Sequence, residues 1–281
     1  MRTIRECVEA GLPVEAPFID VHGHYGPWPE TVIPEALDPE KNIAEMDRFG
    51  CDMVWMSTSN PGYAGDMRLK NDIVFDLADR YPGRIVPYCT LSAWEPEKNL
   101  AELTRCLSRG PCIGVKMHRY RQPDYSMKSP FLQPVLELLQ EHRLIYMNHT
   151  FPHLPELEWA CGHYPELIIM EGHFAESFAN LTLKWPNFVD CTCAALGYRE
   201  VEKQVRKMGR SDTLLVGSDF SLFTLAFGIG QVAYTDLPEA DQRAILGLNA
   251  VRLLERTRWF RRDSMSKLTG GNTTKTGGWY G

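Results

Sequence analysis

The stretch RIVPYCTLSAWEPEKNLAELTRCLSRGPCIGVKMH, residues 84–118, contains one complete strand–helix–strand unit. Two short apolar runs, 84–91 and 112–118, flank a segment with helical periodicity over 96–110. Near-continuous apolar runs indicate strands that are buried on both faces, as parallel strands covered by helices are. The stretch therefore predicts parallel strands joined by crossover helices.

The same alternation recurs along most of the 281 residues and gives eight strand runs. They lie at residues 17–22, 51–57, 84–91, 112–118, 144–150, 167–174, 188–194 and 214–220. An open doubly wound sheet also fits this rhythm, but it usually carries a glycine-rich phosphate turn after the first strand, and HGHYGPW is not one. Eight units, and a length close to the roughly 250 residues of the closed form, favour a barrel. We predict an α/β fold, a single-domain (β/α)8 TIM barrel over 17–255, with an N-terminal segment (1–16) and a C-terminal tail (256–281).

Composition narrows the functional class. The formal net charge of -6 disfavours a protein that binds nucleic acid, which needs a basic face. The longest apolar stretch, residues 220–230, is too short to span a bilayer, and no secretory signal precedes the first strand. The eight cysteines form no C-x-x-C pair. We therefore expect a cytoplasmic protein with reduced thiols and a small-molecule substrate, and leave homo-oligomer formation open.

Two histidines stand at the end of the first predicted strand, in IDVHGHYG. Side chains two residues apart share a face of a strand, so His22 and His24 should project the same way. Asp20, one step earlier, could hold one of the rings by accepting its second N–H. An H-x-H pair alone is a weak signal for a metal site.

Further polar residues end other predicted strands. His149, His173 and Asp219 end the fifth, sixth and eighth, and Lys116 and His118 end the fourth. The carboxyl ends of parallel barrel strands open onto one rim, where catalytic residues gather. Imidazoles and a carboxylate that converge there suit a divalent ion such as zinc. The C-x-C pair Cys191 and Cys193 could mimic a metal-binding pair, but we favour strand packing for it.

The motifs FIDVHGH, GVKMH, NHT, EGH, GSDF and ILGLNAVRLL, in this order, resemble the amidohydrolase superfamily. The resemblance is to the amidohydrolase 2 branch, which includes aminocarboxymuconate-semialdehyde decarboxylase, and it covers residues 17–255. It implies a barrel with one or two divalent ions, often zinc. The ligands that it implies are His22, His24, His149 and Asp219, with His173 either completing the metal site or positioning the attacking water. Some branches carboxylate a lysine of the fourth strand to bridge two metals. We favour one metal, with Lys116 and His118 on the substrate side or supporting the ligands; a structural lysine paired with Glu171 is the alternative.

Water activation is the chemistry that this site suggests. A bound divalent cation lowers the pKa of its water to ~7, and Asp219 could act as general base, with His173 positioning the water or stabilising an oxyanion. We therefore expect a metal-dependent hydrolase of an amide, lactone or ester. The alternative is a non-oxidative decarboxylase of a small aromatic acid, and a catalytically silent metal-binding barrel is a further one.

The predicted rim loops give hints about the substrate. The loops YGPWPETVIP (25–34) and SLFTLAFGIGQVAY (221–234) are apolar and aromatic, which suits a flat organic ligand. Arg119 and Arg121 could clamp a carboxylate. In the glycine- and threonine-rich tail we expect Trp279 and Tyr280 to dock on the barrel or on a second subunit.

Overall fold

The computed structural model describes residues 1–26, 37–59, 65–119, 122–151, 153–174, 178–193, 195, 197 and 199–257. Most of the predicted loop 25–34, Arg121, and the tail residues Trp279 and Tyr280 lie outside the described residues. None of the helices in the described part of the chain has the length and apolar character that crossing a bilayer requires.

Eight strands form one sheet in the order of the chain, and every neighbouring pair is parallel. The strands are β1 (Ile19–Tyr25), β2 (Met53–Thr58), β3 (Ile85–Thr90), β4 (Gly114–Met117), β5 (Ile145–Asn148), β6 (Ile168–Glu171), β7 (Phe188–Cys191) and β8 (Leu214–Leu215). The sheet closes on itself where the Val21 N–H donates to the Val216 carbonyl (3.0 Å) and Gly23 bridges to Phe220. The predicted eight-stranded barrel is confirmed.

Helices cover the outside of the barrel. They are α1 (Ile4–Glu9), α2 (Pro39–Phe49), α3 (Met67–Arg80), α4 (Asn99–Arg109), α5 (Gln133–Glu141), α6 (Leu154–His163), α7 (Ala179–Lys184), α8 (Glu200–Met208), α9 (Leu225–Ala233), α10 (Glu239–Arg243) and α11 (Asn249–Leu254), with a 3-10 turn at Pro96–Lys98 and a π-helical turn at Ala244–Leu248. Local sequence sets several helix starts: Asp38 and Asp66 cap the first turns of α2 and α3 with their carboxylates. Gly50 ends α2 in the left-handed conformation (φ 73°).

The end of the chain's eighth βα unit differs from the sequence prediction. Residues 221–234 were expected to be a rim loop that lines the substrate site, but Leu225–Ala233 forms α9. Leu225, Ile229 and Val232 recur at helical spacing and are buried against the layer between barrel and helices. Their apolar character therefore serves packing, and the expectation that these three residues line the substrate site was wrong.

A bulge in β1 aims the histidines. Asp20 pairs with Val54 and Gly23 pairs with Met56, so three steps along β1 match two along β2. A bulge of this kind re-aims a side chain and leaves a main-chain group without its ladder partner. The Tyr88 hydroxyl satisfies that group by donating to the Val21 carbonyl (3.1 Å). Val21 joins the apolar interior of the barrel, and His22 follows it to the rim.

Candidate metal centre

His22 and His24 reach the centre of the rim with their ring orientations fixed. The Nδ1 atom of His22 lies 2.7 Å from the Gly172 carbonyl, and Nδ1 of His24 lies 3.2 Å from the Thr58 carbonyl. A carbonyl only accepts, so the Nδ1 of His22 carries the proton and its Nε2 presents a lone pair to the centre. The same tautomer suits His24. Main-chain carbonyls thus prepare both rings as ligands, as partners of metal-bound histidines do.

Asp219 is the carboxylate on which the rings converge. Its Oδ1 lies 3.3 Å from Nε2 of His22 and 3.2 Å from Nε2 of His24. The residue has a left-handed backbone (φ 58°), a conformation that aspartate tolerates better than most residues. Burial alone would raise the pKa of Asp219, but the surrounding His22, His24 and His173 rings hold it well below its usual range. The carboxylate is therefore ionised at neutral pH.

His173 and a cysteine complete the closest group of donor atoms. Among the described residues, one set of His, Cys, Asp and Glu side chains brings its donor atoms within 4.8 Å of one another: His22, His173, Cys193 and Asp219. Nε2 of His173 lies 3.8 Å from Oδ2 of Asp219 and 4.0 Å from Sγ of Cys193. Burial lowers the pKa of His173 to about 4, so its ring is neutral at physiological pH.

His149 and His118 extend the site as a row of rings. The His149 ring stacks on His173 with centroids 3.9 Å apart, and the His118 ring lies 4.0 Å from His149. Burial lowers the pKa of His118 to about 3 and that of His149 further still. His149 is thus beside the centre, one ring away from the closest set of donors that the structure shows.

Lys116 is wholly buried and enters the same centre. Its Nζ lies 2.8 Å from Nε2 of His22, the atom that a metal would need. Burial lowers the pKa of Lys116 to about 8, opposed by the charge of Asp219. The alternative partner from the sequence, Glu171, lies on the opposite face of β6 from the inward-facing Met170. Lys116 is therefore hydrogen-bonded into the site, while Glu171 acts on it through charge from the other side of the sheet.

Two other predicted residues have different surroundings. Asp20 does not hold a ring: its carboxylate accepts the His22 main-chain N–H (2.9 Å) and the Ser218 hydroxyl. The bulge places Asp20 on the helix-facing side, and it ties β1 to the segment that carries Asp219. Burial raises the pKa of Asp20 to about 7. Arg119 follows β4 on the same rim and is half-buried.

These donors fit a divalent cation. With Nδ1 of His22 committed to a carbonyl, its Nε2 lone pair faces a carboxylate oxygen, and two electron-rich atoms at 3.3 Å need a positive charge between or beside them. The Lys116 amine supplies one such charge, and a divalent ion would supply a larger one.

Sequence reasoning undervalued Cys193. Its signal was position, since Cys193 is two residues beyond the inward-facing Cys191 on the strand that neighbours His173.

The ends of the barrel strands thus gather imidazoles, a carboxylate and a thiol, which are the side chains that could hold a metal ion. The family is shown by sequence: the chain belongs to the amidohydrolase family, whose model matches residues 19–256. No curated protein sequence matches the chain.

Solved structures share the fold at low identity. The 5-carboxyvanillate decarboxylase from Sphingomonas paucimobilis superposes with a TM-score of 0.67 at 16% identity, over 86% of this chain and 99% of that one. The 2,6-dihydroxybenzoate decarboxylase from Rhizobium gives 0.64 at 16% identity, over 85% and 98%. A dihydroxybenzoic acid decarboxylase from Polaromonas sp. JS666, with bound manganese and the inhibitor 2-nitroresorcinol, gives 0.66 at 17% identity, over 85% and 96%.

Proposed function

We propose that this protein is a metal-dependent, non-oxidative decarboxylase of a small aromatic acid. The observation that carries the proposal is the buried Lys116 amine, which lies 2.8 Å from Nε2 of His22 and beside the candidate metal centre. An anionic substrate with two oxygen groups benefits from two neighbouring positive charges, whereas a neutral amide, lactone or ester has no charge for the second one to bind. Lys116 supplies the second charge from the protein itself.

The proposed ligands are His22, His24, His149 and Asp219. When bound, the divalent cation supplies a Lewis acid that attracts the anionic oxygens of the substrate. The residues around it orient and protonate. In the net reaction the bond between the ring carbon and the carboxylate breaks, its electron pair stays on the ring carbon, and a proton takes that pair as carbon dioxide leaves.

The proton can come through Asp219 and His173. At neutral pH the Asp219 carboxylate is ionised and the His173 ring is neutral, so the proton must be taken up from water; once on His173 it can pass to Oδ2 of Asp219, 3.8 Å from its Nε2, with a small movement of either group. The ring of His173 is about one-fifth exposed, whereas His22 and Lys116 are closed off from solvent. His173 is therefore placed to exchange that proton with water while the cation-binding groups stay dry.

Burial favours loss of the carboxylate. Relative exposure is 1% for His22, 0% for Lys116 and 7% for Asp219. A substrate carboxylate that enters this space gives up its hydration, whereas carbon dioxide needs none, so the dry site favours the direction of cleavage. The solved structures named above support the substrate class, since the three are decarboxylases of hydroxylated benzoates.

Hydrolysis of an amide, lactone or ester is the second candidate. The observation that favours it is the lowered pKa of Asp219, which leaves an ionised carboxylate at the centre to act as general base toward a water molecule. The ligands alone serve both reactions, so the products must separate them.

The test is a substrate panel with product identification. Metal-loaded protein would be incubated with 5-carboxyvanillate, with 2,6-dihydroxybenzoate, and with matched aryl esters and lactones. We expect carbon dioxide release from at least one aromatic acid, and, in deuterium oxide, one deuterium on the ring carbon that lost the carboxylate. His153→Gln, at an exposed position, should leave turnover unchanged. Ester or lactone cleavage without carbon dioxide release from any acid would contradict the proposal and favour the second candidate.

A further inference from the structure

We propose that Cys193 is a thiolate ligand of the metal and that it biases the centre toward zinc over manganese. The proposal rests on the metal centre of the proposed function but not on its reaction. The structural basis is that Sγ of Cys193 lies in one group with donor atoms of two proposed ligands, His22 and Asp219, and with the neighbouring His173; all four donor atoms lie within 4.8 Å of one another.

The distances are close to those of a loaded site. Zinc binds nitrogen at about 2.0–2.1 Å and sulfur at about 2.3 Å, so neighbouring donors of a tetrahedral site stand about 3.5 Å apart. Sγ of Cys193 lies 4.0 Å from Nε2 of His173, and Nε2 of His22 lies 3.3 Å from Oδ1 of Asp219. Because all four donor atoms lie within 4.8 Å of one another, closing movements of at most about 1.3 Å bring the sulfur to bonding range.

The fold holds the sulfur in this position. Val189, Cys191 and Cys193 all belong to the barrel interior, so the alternation of β7 continues past its last paired residue. The Cys193 carbonyl accepts the Phe174 N–H (2.8 Å), which ties this segment to the one that carries His173. On the other side, a Cβ at Gly217 would overlap with Sγ of Cys191 and lie 3.5 Å from Cβ of Cys193. The absence of a side chain at Gly217 gives the two thiols their space.

The neighbouring Cys191 serves as an internal control for Cys193, because it is also a buried thiol but has different surroundings. Its Sγ lies 4.0 Å from Nδ1 of His22, the ring atom that already donates to the Gly172 carbonyl. Cys191 therefore faces the ring nitrogen that already donates a hydrogen bond, whereas Cys193 faces the side-chain atoms that could bind the metal. Both thiols are buried, so exposure does not distinguish them.

Sulfur changes which metal is preferred. Thiolates are soft ligands that select zinc, whereas manganese prefers oxygen and stands at the weak end of the divalent series. On binding, the S–H bond of Cys193 breaks, a sulfur–metal bond forms and the proton leaves to solvent. The manganese in the related dihydroxybenzoic acid decarboxylase structure belongs to that protein. In the present chain we expect zinc to bind more tightly than manganese when both metals are offered together.

Cobalt substitution tests the ligand without substrate. Wild-type protein loaded with Co²⁺ should show a sulfur-to-cobalt charge-transfer band in the near ultraviolet, Cys193→Ser should lose it, and Cys191→Ser should retain it. In chelator competition, Cys193→Ser should narrow the zinc-over-manganese preference by about tenfold or more. A band that survives in Cys193→Ser, or its absence in stoichiometrically loaded wild type, would overturn the proposal.

If the Cys193→Ser variant does not fold, a measurement on wild-type protein still tests the sulfur ligand. X-ray absorption at the zinc edge of wild-type protein should require one sulfur scatterer at about 2.3 Å, and a fit with nitrogen and oxygen alone would again overturn the proposal. Failure of the two proposals is distinguishable. A sulfur ligand without carbon dioxide release leaves Cys193 as a ligand and removes the decarboxylase. Carbon dioxide release by a metal centre without a sulfur ligand would keep the decarboxylase proposal and remove Cys193 as a ligand.

Discussion

The Nζ atom of Lys116 lies 2.8 Å from Nε2 of His22, although 94 residues separate them in the chain. Because the other ring nitrogen of His22 donates to the Gly172 carbonyl, the lysine donates into the lone pair that a metal would use. The side chain and a metal therefore compete for one atom. This competition gives the first prediction.

Lys116→Met should bind divalent metal more tightly and an aromatic acid more weakly. Removing a hydrogen bond from a charged donor frees the His22 lone pair, which is expected to raise metal affinity about tenfold to a hundredfold. The same change removes the second positive charge, so KM for an aromatic acid should rise. Titration calorimetry and steady-state kinetics measure the two effects. Lys128→Met, at an exposed position, is the control, and weaker metal binding in Lys116→Met would show that the lysine is itself a ligand.

Asp219→Asn should lose metal and activity together. Asp219 is the carboxylate on which the Nε2 atoms of His22 and His24 converge, and an amide oxygen brings no charge to the ion. Several kcal/mol of charge stabilisation correspond to a loss of turnover of about a hundredfold or more. Elemental analysis and a carbon dioxide assay on the same preparation would check both. An asparagine variant with full metal content and unchanged turnover would remove Asp219 from the proposed machinery.

Purified protein should carry about one metal ion per chain, since the donors converge on one carboxylate and Lys116 contacts His22 as an unmodified amine. Elemental analysis of protein produced with and without added bicarbonate provides the count. Two equivalents that depend on bicarbonate would instead indicate a carboxylated Lys116 that bridges two ions.

Gly217→Ala should destabilise the barrel. The added methyl group would overlap with Sγ of Cys191 and lie 2.8 Å from Cβ of His22, both within a packed interior. Overpacking of this kind costs about 1–3 kcal/mol in the free energy of unfolding. Gly230→Ala is the matched control, because a Cβ there meets open space inside α9 and should stabilise the helix by up to about 1 kcal/mol. Urea denaturation curves that coincide for the two variants would contradict this account.

The pH dependence of stability should contain a contribution from Asp190. Asp190 and Glu171 pair across β6 and β7 on the helix-facing side, and burial raises the pKa of both carboxyls well above the usual range. A carboxyl with a raised pKa binds its proton more tightly in the folded state. Its stabilising effect is therefore present at low pH and is lost as the pH rises from the unfolded toward the folded pKa, by up to about 1.4 kcal/mol per pH unit.

Asp190→Asn should remove that loss, so the variant gains stability relative to wild type as pH increases above about 4, the range in which unfolded aspartate ionises. Denaturant titrations at a series of pH values measure it. Glu9→Gln, at an exposed helix position, should leave the slope unchanged. Parallel curves for Asp190→Asn and wild type would show that the carboxyl is not protonated in the folded protein.

The repetition of apolar runs was sufficient to predict eight parallel strands, because a strand covered on both sides needs a nearly continuous apolar sequence. It failed at residues 225–233, where apolar residues at helical spacing were taken for a rim loop. Two glycines in that segment obscured the helix, and only packing against the outer layer shows that Leu225 and Ile229 face inward.

The candidate site divides in the same way. The sequence by itself determined that His22, His24, Lys116, His173 and Asp219 stand at strand ends, since strand position can be read locally. The tertiary structure decided which atoms meet. Strand alternation alone would have put Asp20 on the face of the histidines, but the β1 bulge, specified by pairing with β2, places it on the other face. Cys193 likewise joined the candidate donor group only when closure of the barrel brought its strand against the segments of His173 and Asp219. A local pattern fixes the direction of a side chain along its own strand, whereas the distance between two side chains depends on how separate strands are packed.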